Sequence, residues 1–188
     1  MPEFNDAQKF WDERFDTSDY IFGRTANVFL TQEAHRLAPG STVLDVACGE
    51  GRNAVWLAQL GCEVLGIDIS PLGLAKARRF AAERGVSVHF EEADVRTWPW
   101  PSQRFDAVVS IFIQFAGPSE RGAVFGGMRE ALRPGGLVVL QGYTPRQIEF
   151  KTGGPPQVEH MYTRALLEEA FAGFEILHLR EHESELAE

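Results

Sequence analysis

The chain has 188 residues, 44% of them hydrophobic, and a formal net charge of -9 at pH 7. This length, with no internal repeat and no apolar run of transmembrane length, predicts one soluble domain over residues 1–188. The acidic balance disfavours binding to a phosphate backbone, and no cluster of lysine and arginine offsets it, so no nucleic-acid partner is expected.

The amino terminus and the potential metal ligands indicate the compartment of the protein and whether a metal site is expected. No basic-then-apolar secretory signal is present, which predicts a cytoplasmic protein without a membrane partner. Cys48 and Cys62 are the only cysteines, and they lack the paired spacing of a metal site. His178 and His182 are four residues apart, but this stretch is predicted to be a strand and offers no third ligand. No metal is therefore expected.

The predicted elements begin with a helix over about Asp6–Phe15. Phe10, Trp11 and Phe15 fall on one face of this helix, which suits either a lid over a binding site or packing against the core. A short apolar strand beginning at Val43 is the next element of the predicted fold.

A glycine-rich turn follows this first strand at once. Asp45 lies near the end of the strand, Gly49 and Gly51 lie in the turn, and a helix is predicted from about Asn53 to Leu60. Glycine adopts backbone angles that other residues avoid, so the turn lets a ligand approach the main chain. The helix start presents unpaired N–H groups to that ligand. Alternatively, Asp45 only caps the turn, and Cys48 is expected to be a small apolar filler.

The second predicted strand, Glu63–Ile69, brings a second carboxylate. Asp68 lies 23 residues after Asp45. Its carboxylate can accept two hydrogen bonds from the vicinal hydroxyls of a ribose, unless it is only an exposed strand end. A helix that is capped by Ser70 and runs to about Arg84 follows.

The rest of the chain continues the same alternation. Further strands are predicted at Val86–Glu91, Phe105–Phe112, Gly136–Gly142 and Phe174–Leu179, with a helix over about Ser119–Leu132. Mostly apolar strands between helices predict an α/β fold with a mostly parallel, twisted, Rossmann-like sheet covered by helices on both faces. Ligands bind over the carboxyl ends of such strands, where Asp45, Asp68 and Asp94 are expected to converge. Asp94 is also compatible with a purely structural loop.

The charge around the turn helps to choose between two ligands. Gly49, Gly51 and Ala54 have the spacing of a dinucleotide fingerprint, and Asp68 supplies its acidic residue. However, a pyrophosphate there would lie near the carboxylates of Asp45 and Glu50. A ligand with an amine and a sulfonium would be attracted by these charges, and S-adenosylmethionine is such a ligand.

Five segments in the right order resemble the class I S-adenosylmethionine-dependent methyltransferases. They are Asp45–Gly51, Gly66–Ser70, Ala93–Val95, Phe105–Ser110 and Leu132–Gly136, and the resemblance covers roughly residues 39–143. It implies S-adenosylmethionine as cofactor and S-adenosylhomocysteine as product. The flanks Tyr20–Gly23 and Thr152–Pro155 are similar to small bacterial tellurite-resistance-like methyltransferases, which implies a small-molecule substrate.

The resemblance also implies roles for individual residues. The glycine turn would hold the methionine end of the cofactor, Asp68 the ribose, Asp94 and Val95 the adenine, and the Ile111 region would line the sulfonium side. The expected cofactor-binding residues are Asp45, Ala47, Cys48, Gly49, Gly51, Asn53, Asp68, Ile69, Asp94, Val95 and Ile111.

The methyl acceptor and the catalytic residue stay open at this stage. The possible acceptors are a thiol, a selenium or tellurium oxyanion, an amine and a hydroxyl. A soft, already anionic nucleophile such as a thiolate or selenide needs no general base, whereas an amine or hydroxyl would need one. The expected substrate-side residues are Tyr20, Arg24, Tyr143 and His160, of which the tyrosines and the histidine are candidate bases. Methyl transfer would be an in-line displacement, in which the enzyme mainly aligns the two reactants. The alternatives are a non-catalytic S-adenosylmethionine-binding module and an NAD-dependent oxidoreductase.

The resemblance divides the single domain into three parts. A helical lid segment is expected over residues 1–38, the cofactor-binding core over 39–143 and the substrate-side part over 144–188. The family usually closes its sheet with a seventh, antiparallel strand, but Glu185–Glu188 offers no further apolar run after the sixth strand. Unpaired strand edges would then favour self-association, so a monomer or a weak homodimer is expected.

Overall fold

The computed structural model describes residues 4–150 and 153–183. The helices are α1 Phe4–Phe15, α2 Val28–Glu33, α3 Arg52–Gln59, α4 Pro71–Glu83, α5 Pro118–Ala131, α6 Gln147–Phe150 and α7 Arg164–Ala170. The strands are β1 Thr42–Val46, β2 Glu63–Asp68, β3 His89–Glu92, β4 Phe105–Ile111 and β5 Leu132–Gln141. Within the described ranges these five strands form one sheet in the order β3-β2-β1-β4-β5, and every pair is parallel. The predicted α/β fold with a parallel sheet is confirmed.

The core lies on both faces of the sheet. Leu44 and Val46 of β1 pack in a buried cluster that includes α5 residues, whereas Val43 packs in a second cluster that includes residues of α3 and α4. Successive side chains of a strand point to opposite faces, so a strand buried on both faces needs this continuous apolar run.

The strand order determines where a ligand can bind. From β1 the chain first adds β2 and β3 on one side and then returns to add β4 and β5 on the other side. The order therefore reverses between β1 and β4, which leaves a crevice above the carboxyl ends of these two strands.

Two predicted strand starts are wrong for local reasons. β3 begins at His89 rather than Val86, because Gly85 has φ +67° and the Val86 N–H donates to the carbonyl of Ala81 at the end of α4. β5 begins at Leu132, directly after α5, rather than at Gly136.

The predicted sixth strand, Phe174–Leu179, is also wrong. In the part of the chain that the structure describes, no strand lies beyond β5, and Phe174 is an exposed apolar residue in an irregular segment. A groove of about 580 Å³ separates this segment from β5. The segment is held instead by side chains, since His178 Nδ1 lies 2.7 Å from Glu33 Oε1 and Arg164 donates to the carbonyl of Leu179.

Some sequence-based expectations concern residues outside the described ranges. Glu185–Glu188, on which the argument about a seventh strand depended, and Thr152 of the second flank motif both lie there. Among the helices of the described ranges, none combines the length and apolar character needed to span a bilayer.

Candidate active site

The glycine-rich turn after β1 forms the floor of the candidate site. Ala47, Gly49 and Gly51 all have positive φ values, of 52°, 53° and 84°. A β carbon at position 51 would lie 2.8 Å from Cβ of Ala77 in α4, whereas one at position 49 would lie 3.4 Å from the ring of Phe15. Gly51 is therefore required by its positive φ and by the close approach of α4.

Asp68 at the end of β2 is held above this turn by backbone donors. Its Oδ2 accepts the N–H of Gly49 at 2.8 Å, and its Oδ1 accepts the N–H of Ser70 at 2.9 Å. Burial raises the pKa of Asp68 to about 6, the two N–H groups counteract this, and the nearby Asp12 carboxylate adds to it. Each oxygen of the ionised group retains acceptor capacity for a further donor.

Asp45 lies one layer below and does not line the cavity above the turn. It is only 2% exposed, and burial raises its pKa to about 7. The backbone N–H of Ala54 counteracts this shift most strongly, Asp68 adds to it, and Arg52 opposes it. The contact with the N–H of Ala54 places Asp45 beside the first turn of α3, and its predicted role in cofactor binding stays a prediction.

Asp94 follows β3 and is tied to an arginine. Both of its carboxylate oxygens accept from Arg96 Nε, at 3.0 and 3.1 Å, and Arg96 also pairs with Glu120. The Val95 carbonyl accepts the indole N–H of Trp100 at 3.1 Å. The Asp94–Val95 segment is therefore fixed in position before any ligand binds.

These groups surround one cavity of about 460 Å³ at the carboxyl ends of the strands. All of the predicted cofactor-binding residues except Asp45 and Gly51 line it, namely Ala47, Cys48, Gly49, Asn53, Asp68, Ile69, Asp94, Val95 and Ile111. The structure thus brings together residues from the ends of β1, β2, β3 and β4 that are far apart in sequence.

The aromatic face of α1 covers part of this cavity. Phe10, Trp11 and Phe15 all line it, and Phe15 is at the same time buried against the glycine turn. The Asp12 carboxylate accepts the hydroxyl of Ser70, the cap of α4, and so fastens α1 to the sheet layer. Phe15 therefore packs in the core, which was one of the two predicted roles, and a lid role for Phe10 and Trp11 stays a prediction.

A buried ion pair between Glu50 and Lys76 was not predicted. The two side chains are in contact, and the residues are 4% and 6% exposed. Lys76 Nζ also donates to the carbonyl of Phe15 at 3.3 Å, and the Phe22 N–H approaches Glu50 at 3.4 Å. The charge of Glu50 is therefore balanced by Lys76. The sequence argument against a bound pyrophosphate then depends on Asp45 alone, because Glu50 no longer adds an uncompensated negative charge.

The opposite wall is aromatic and rests on a buried glutamine. Phe112 has φ +58° and its ring stacks on that of Tyr143 at 4.5 Å. The Gln114 side chain donates to the carbonyl of Tyr143 at 2.8 Å and to that of His160 at 3.2 Å. A bulky residue with positive φ is uncommon and tends to occur at functional sites.

Of the predicted substrate-side residues, only Tyr143 lines the cavity. The hydroxyl of Tyr20 donates to the carbonyl of Lys76, and Arg24 pairs with Glu83 beside α4. The ring of His160 is buried, and its Nδ1 lies 3.0 Å from the carbonyl of Gln114. The structure therefore gives these three residues supporting contacts elsewhere in the fold.

Metal ligands do not gather in this structure. Within the described ranges, no three His, Cys, Asp or Glu side chains are arranged to hold a metal ion.

Comparison with known proteins agrees with this geometry. Residues 43–136 match the family model of the methyltransferase domain. The chain is 31% identical over 136 residues to a sterol 24-C-methyltransferase of Gibberella zeae, which covers 68% of this chain and 36% of that protein. It is 39% identical over 105 residues to the demethylmenaquinone methyltransferase of Thermus thermophilus, which covers 55% and 47%. The chain thus spans less than half the length of these curated relatives.

Solved structures show the same fold. TehB of Haemophilus influenzae superposes with a TM-score of 0.70 over 93% of this chain and 58% of that chain, at 18% identity. An S-adenosylmethionine-dependent methyltransferase of Geobacter sulfurreducens, in complex with S-adenosylhomocysteine, superposes with a TM-score of 0.55 over 67% of this chain and 52% of that chain, at 27% identity.

Proposed function

Because this chain belongs to the class I S-adenosylmethionine-dependent methyltransferases, we propose that it transfers a methyl group from S-adenosylmethionine to a small-molecule acceptor. One observation carries the proposal above the others. The Asp68 carboxylate is held by two backbone N–H groups at the rim of a cavity whose floor is the glycine turn. This arrangement leaves both oxygens able to accept ribose hydroxyls.

The residues that line the cavity support an assignment for each part of the cofactor. We assign the ribose to Asp68, the methionine end to the turn that contains Gly49, and the adenine to Asp94 and Val95, with Ile111 on the sulfonium side. The remaining assigned contacts are with Ala47, Cys48, Asn53 and Ile69, while Asp45 and Gly51 act indirectly by supporting the turn. When bound, S-adenosylmethionine supplies an electrophilic methyl group on a positively charged sulfur.

The protein's own contribution is mainly to hold and enclose the reactants. Phe10 and Trp11 of α1 cover the cavity on one side, and Phe112, Phe115 and Tyr143 line it on another. Aligning two bound reactants can supply roughly 7–11 kcal/mol of a reaction barrier. We propose that residues 1–38 serve as the lid, 39–143 as the cofactor core and 144–188 as part of the acceptor side.

We propose a thiol or another soft nucleophile as the acceptor. We call Phe112, Phe115 and Tyr143 the acceptor wall, and within the described ranges its one titratable group is the Tyr143 hydroxyl. The ring of His160 is instead hydrogen-bonded to the carbonyl of Gln114. An amine or a hydroxyl would need a general base, whereas a thiol is partly ionised near neutral pH and attacks as the thiolate. The thiol proton is then released to solvent before the methyl group is transferred.

Calorimetry tests the cofactor part of this proposal. The purified chain is expected to bind S-adenosylmethionine and S-adenosylhomocysteine and to show no comparable heat with NAD. Binding of NAD alone would contradict the proposal and favour the oxidoreductase alternative.

A panel of acceptors tests the reaction. Release of S-adenosylhomocysteine is measured with thiols, selenite, tellurite, small amines and alcohols at equal concentration. Turnover is expected with the thiols, and Tyr143→Phe, which keeps the ring stacked on Phe112, should retain most of that rate. Turnover with amines that is lost in Tyr143→Phe would indicate base catalysis instead. Cofactor binding without any turnover would favour the non-catalytic binding module.

We also propose that the protein is a monomer or a weak homodimer. β3 and β5 are the two edges of the sheet formed by the described residues, and the unpaired backbone groups of an edge strand are a means of contact between copies. Light scattering after size exclusion, over a range of concentrations, tests this proposal.

A further inference from the structure

Three arginines line the cavity, and two of them are engaged with other protein groups. Arg96 pairs with Asp94 and also with Glu120 of α5. Arg52 donates to the carbonyl of Phe22 at 2.8 Å, and its positive charge lowers the pKa of Asp45. Neither arginine is therefore the first choice for a new anionic partner.

Arg14 has a different environment. It lies in the last turn of α1, and its guanidinium carbon is 5.9, 5.7 and 5.8 Å from the ring centres of Phe10, Trp11 and Phe22. Among residues 7–150 and 153–183 it has these ring contacts but no carboxylate or carbonyl partner. A guanidinium carries five N–H donors, so Arg14 keeps its full capacity for a planar anion.

The position of Arg14 relates it to the glycine turn. The Phe22 ring that it contacts also lies 6.0 Å from the guanidinium carbon of Arg52, in the first turn of α3. The neighbouring residue Phe15 packs against the turn at Gly49. Arg14 thus lies beside the part of the cavity assigned to the methionine end of the cofactor.

That end of the cofactor carries both a cationic amine and an anionic carboxylate. Carboxylates of the protein are available near the turn, but a carboxylate of the ligand needs a cationic donor, for which a guanidinium has matching geometry. We propose that Arg14 binds the α-carboxylate of S-adenosylmethionine and thereby ties α1 to the bound cofactor. This assignment rests on the proposed function and deepens it.

The assignment gives α1 a further attachment. Its polar links to the rest of the fold run from Asp12 to Ser70 and to the N–H of Leu72, from Gln8 to Glu92 of β3, and from the carbonyl of Phe15 to Lys76. A bond from Arg14 to the cofactor would add a link that exists only in the complex.

A comparison of two ligands on matched variants tests the assignment. Binding of S-adenosylhomocysteine and of its decarboxylated analogue, which retains the amine, is measured by calorimetry for the wild type, Arg14→Met, Arg14→Lys and Lys9→Met. Hydrogen bonds to charged groups predict a loss of about 10- to 100-fold in the affinity of Arg14→Met for S-adenosylhomocysteine. The analogue should bind both proteins about equally.

The control variants separate specific from general effects. Lys9→Met removes the same charge from the same helix. Lys9 is exposed and its ion pair among the described residues is with Glu13, so the affinities of this variant should match the wild type. Arg14→Lys keeps the charge and should recover part of the affinity. An equal loss for both ligands, or full retention of affinity in Arg14→Met, would overturn the assignment.

The two proposals can fail separately. If the wild type prefers S-adenosylhomocysteine to the analogue, and Arg14→Met does not, but no acceptor is methylated, the proposed activity fails and the assignment of Arg14 stands. If methyl transfer occurs and Arg14→Met keeps the wild-type preference, the assignment fails and the activity stands.

Discussion

Gly51 and Gly49 allow the turn to be divided into a part that supports the fold and a part that contacts the ligand. Gly51→Ala would place a β carbon 2.8 Å from Cβ of Ala77 and 3.2 Å from its Cα, at φ +84°. The left-handed conformation costs about 1–2 kcal/mol and overpacking about 1–3 kcal/mol more. We therefore expect Gly51→Ala to lower the free energy of unfolding by about 2–5 kcal/mol.

Gly49→Ala is the matched comparison. Its β carbon would meet the ring of Phe15 at an ordinary distance of 3.4 Å, so only the backbone strain of about 1–2 kcal/mol is expected. Gly49 lines the cavity and its N–H holds Asp68, so a shift of the turn that relieves the strain should also lower the affinity for S-adenosylhomocysteine.

Urea unfolding of a double-mutant cycle tests the reasoning about Gly51. Adding Ala77→Gly removes the clash but not the backbone strain, at a helix-propensity cost of about 1 kcal/mol. The double variant should therefore be more stable than the sum of the single effects by about 1–3 kcal/mol. Additive effects within about 0.5 kcal/mol would refute the claim that contact with α4 is what requires glycine at this position.

Four further predictions concern charged groups in and near the site. The pKa of the Asp68 carboxyl is about 6 in the folded protein, against a reference value of 3.8. Protonation of Asp68 should therefore lower the affinity for S-adenosylhomocysteine by up to about tenfold per pH unit below pH 6. Calorimetry at pH 5–8 checks this, and an affinity that does not change with pH would contradict it. The same raised pKa gives stability that is present below about pH 4 and is lost as the pH rises through 6, so unfolding of the ligand-free protein should become easier over that range. Asp12→Asn removes a charge that raises this pKa and should shift both profiles to lower pH, whereas unchanged midpoints would argue against the coupling. Lys76→Met leaves Glu50 buried without its cation and should lower the free energy of unfolding by about 3–5 kcal/mol, as measured with urea. Adding Glu50→Gln should recover part of this free energy, and no recovery would mean that Lys76 acts through packing alone.

The core of the fold could be predicted because its information is local. The apolar run at β1 and the cap at Ser70 each determine structure within a few residues of themselves, and the spacing of Asp45 and Asp68 spans a single βαβ unit. Ser70 indeed accepts the N–H of Gly73, and the parallel strands bring the acids to one edge of the sheet. Local agreement of this kind is what makes a short βαβ pattern readable from sequence.

The parts that could not be predicted depend on contacts between distant residues. Lys76 lies on α4 with nothing in its sequence neighbourhood to indicate that it pairs with Glu50 across the fold. His160 has the chemistry of a base, but its orientation is decided by Gln114, 46 residues earlier. The apolar run Phe174–Leu179 has the composition of a strand, but a strand also needs a partner, which composition alone does not supply.

The wall of the cavity is divided unevenly between two parts of the chain. The turn, Asp68, Asp94 and Val95 all lie within residues 43–136, which match the methyltransferase family, whereas Trp11 of α1 and Tyr143 lie outside that range. Sequence change at such flanking positions can therefore reshape the cavity without altering the residues assigned to the ribose and the adenine, provided that Arg14 is kept. Such a division makes the flanks the natural place to exchange segments between relatives when a new acceptor preference is wanted.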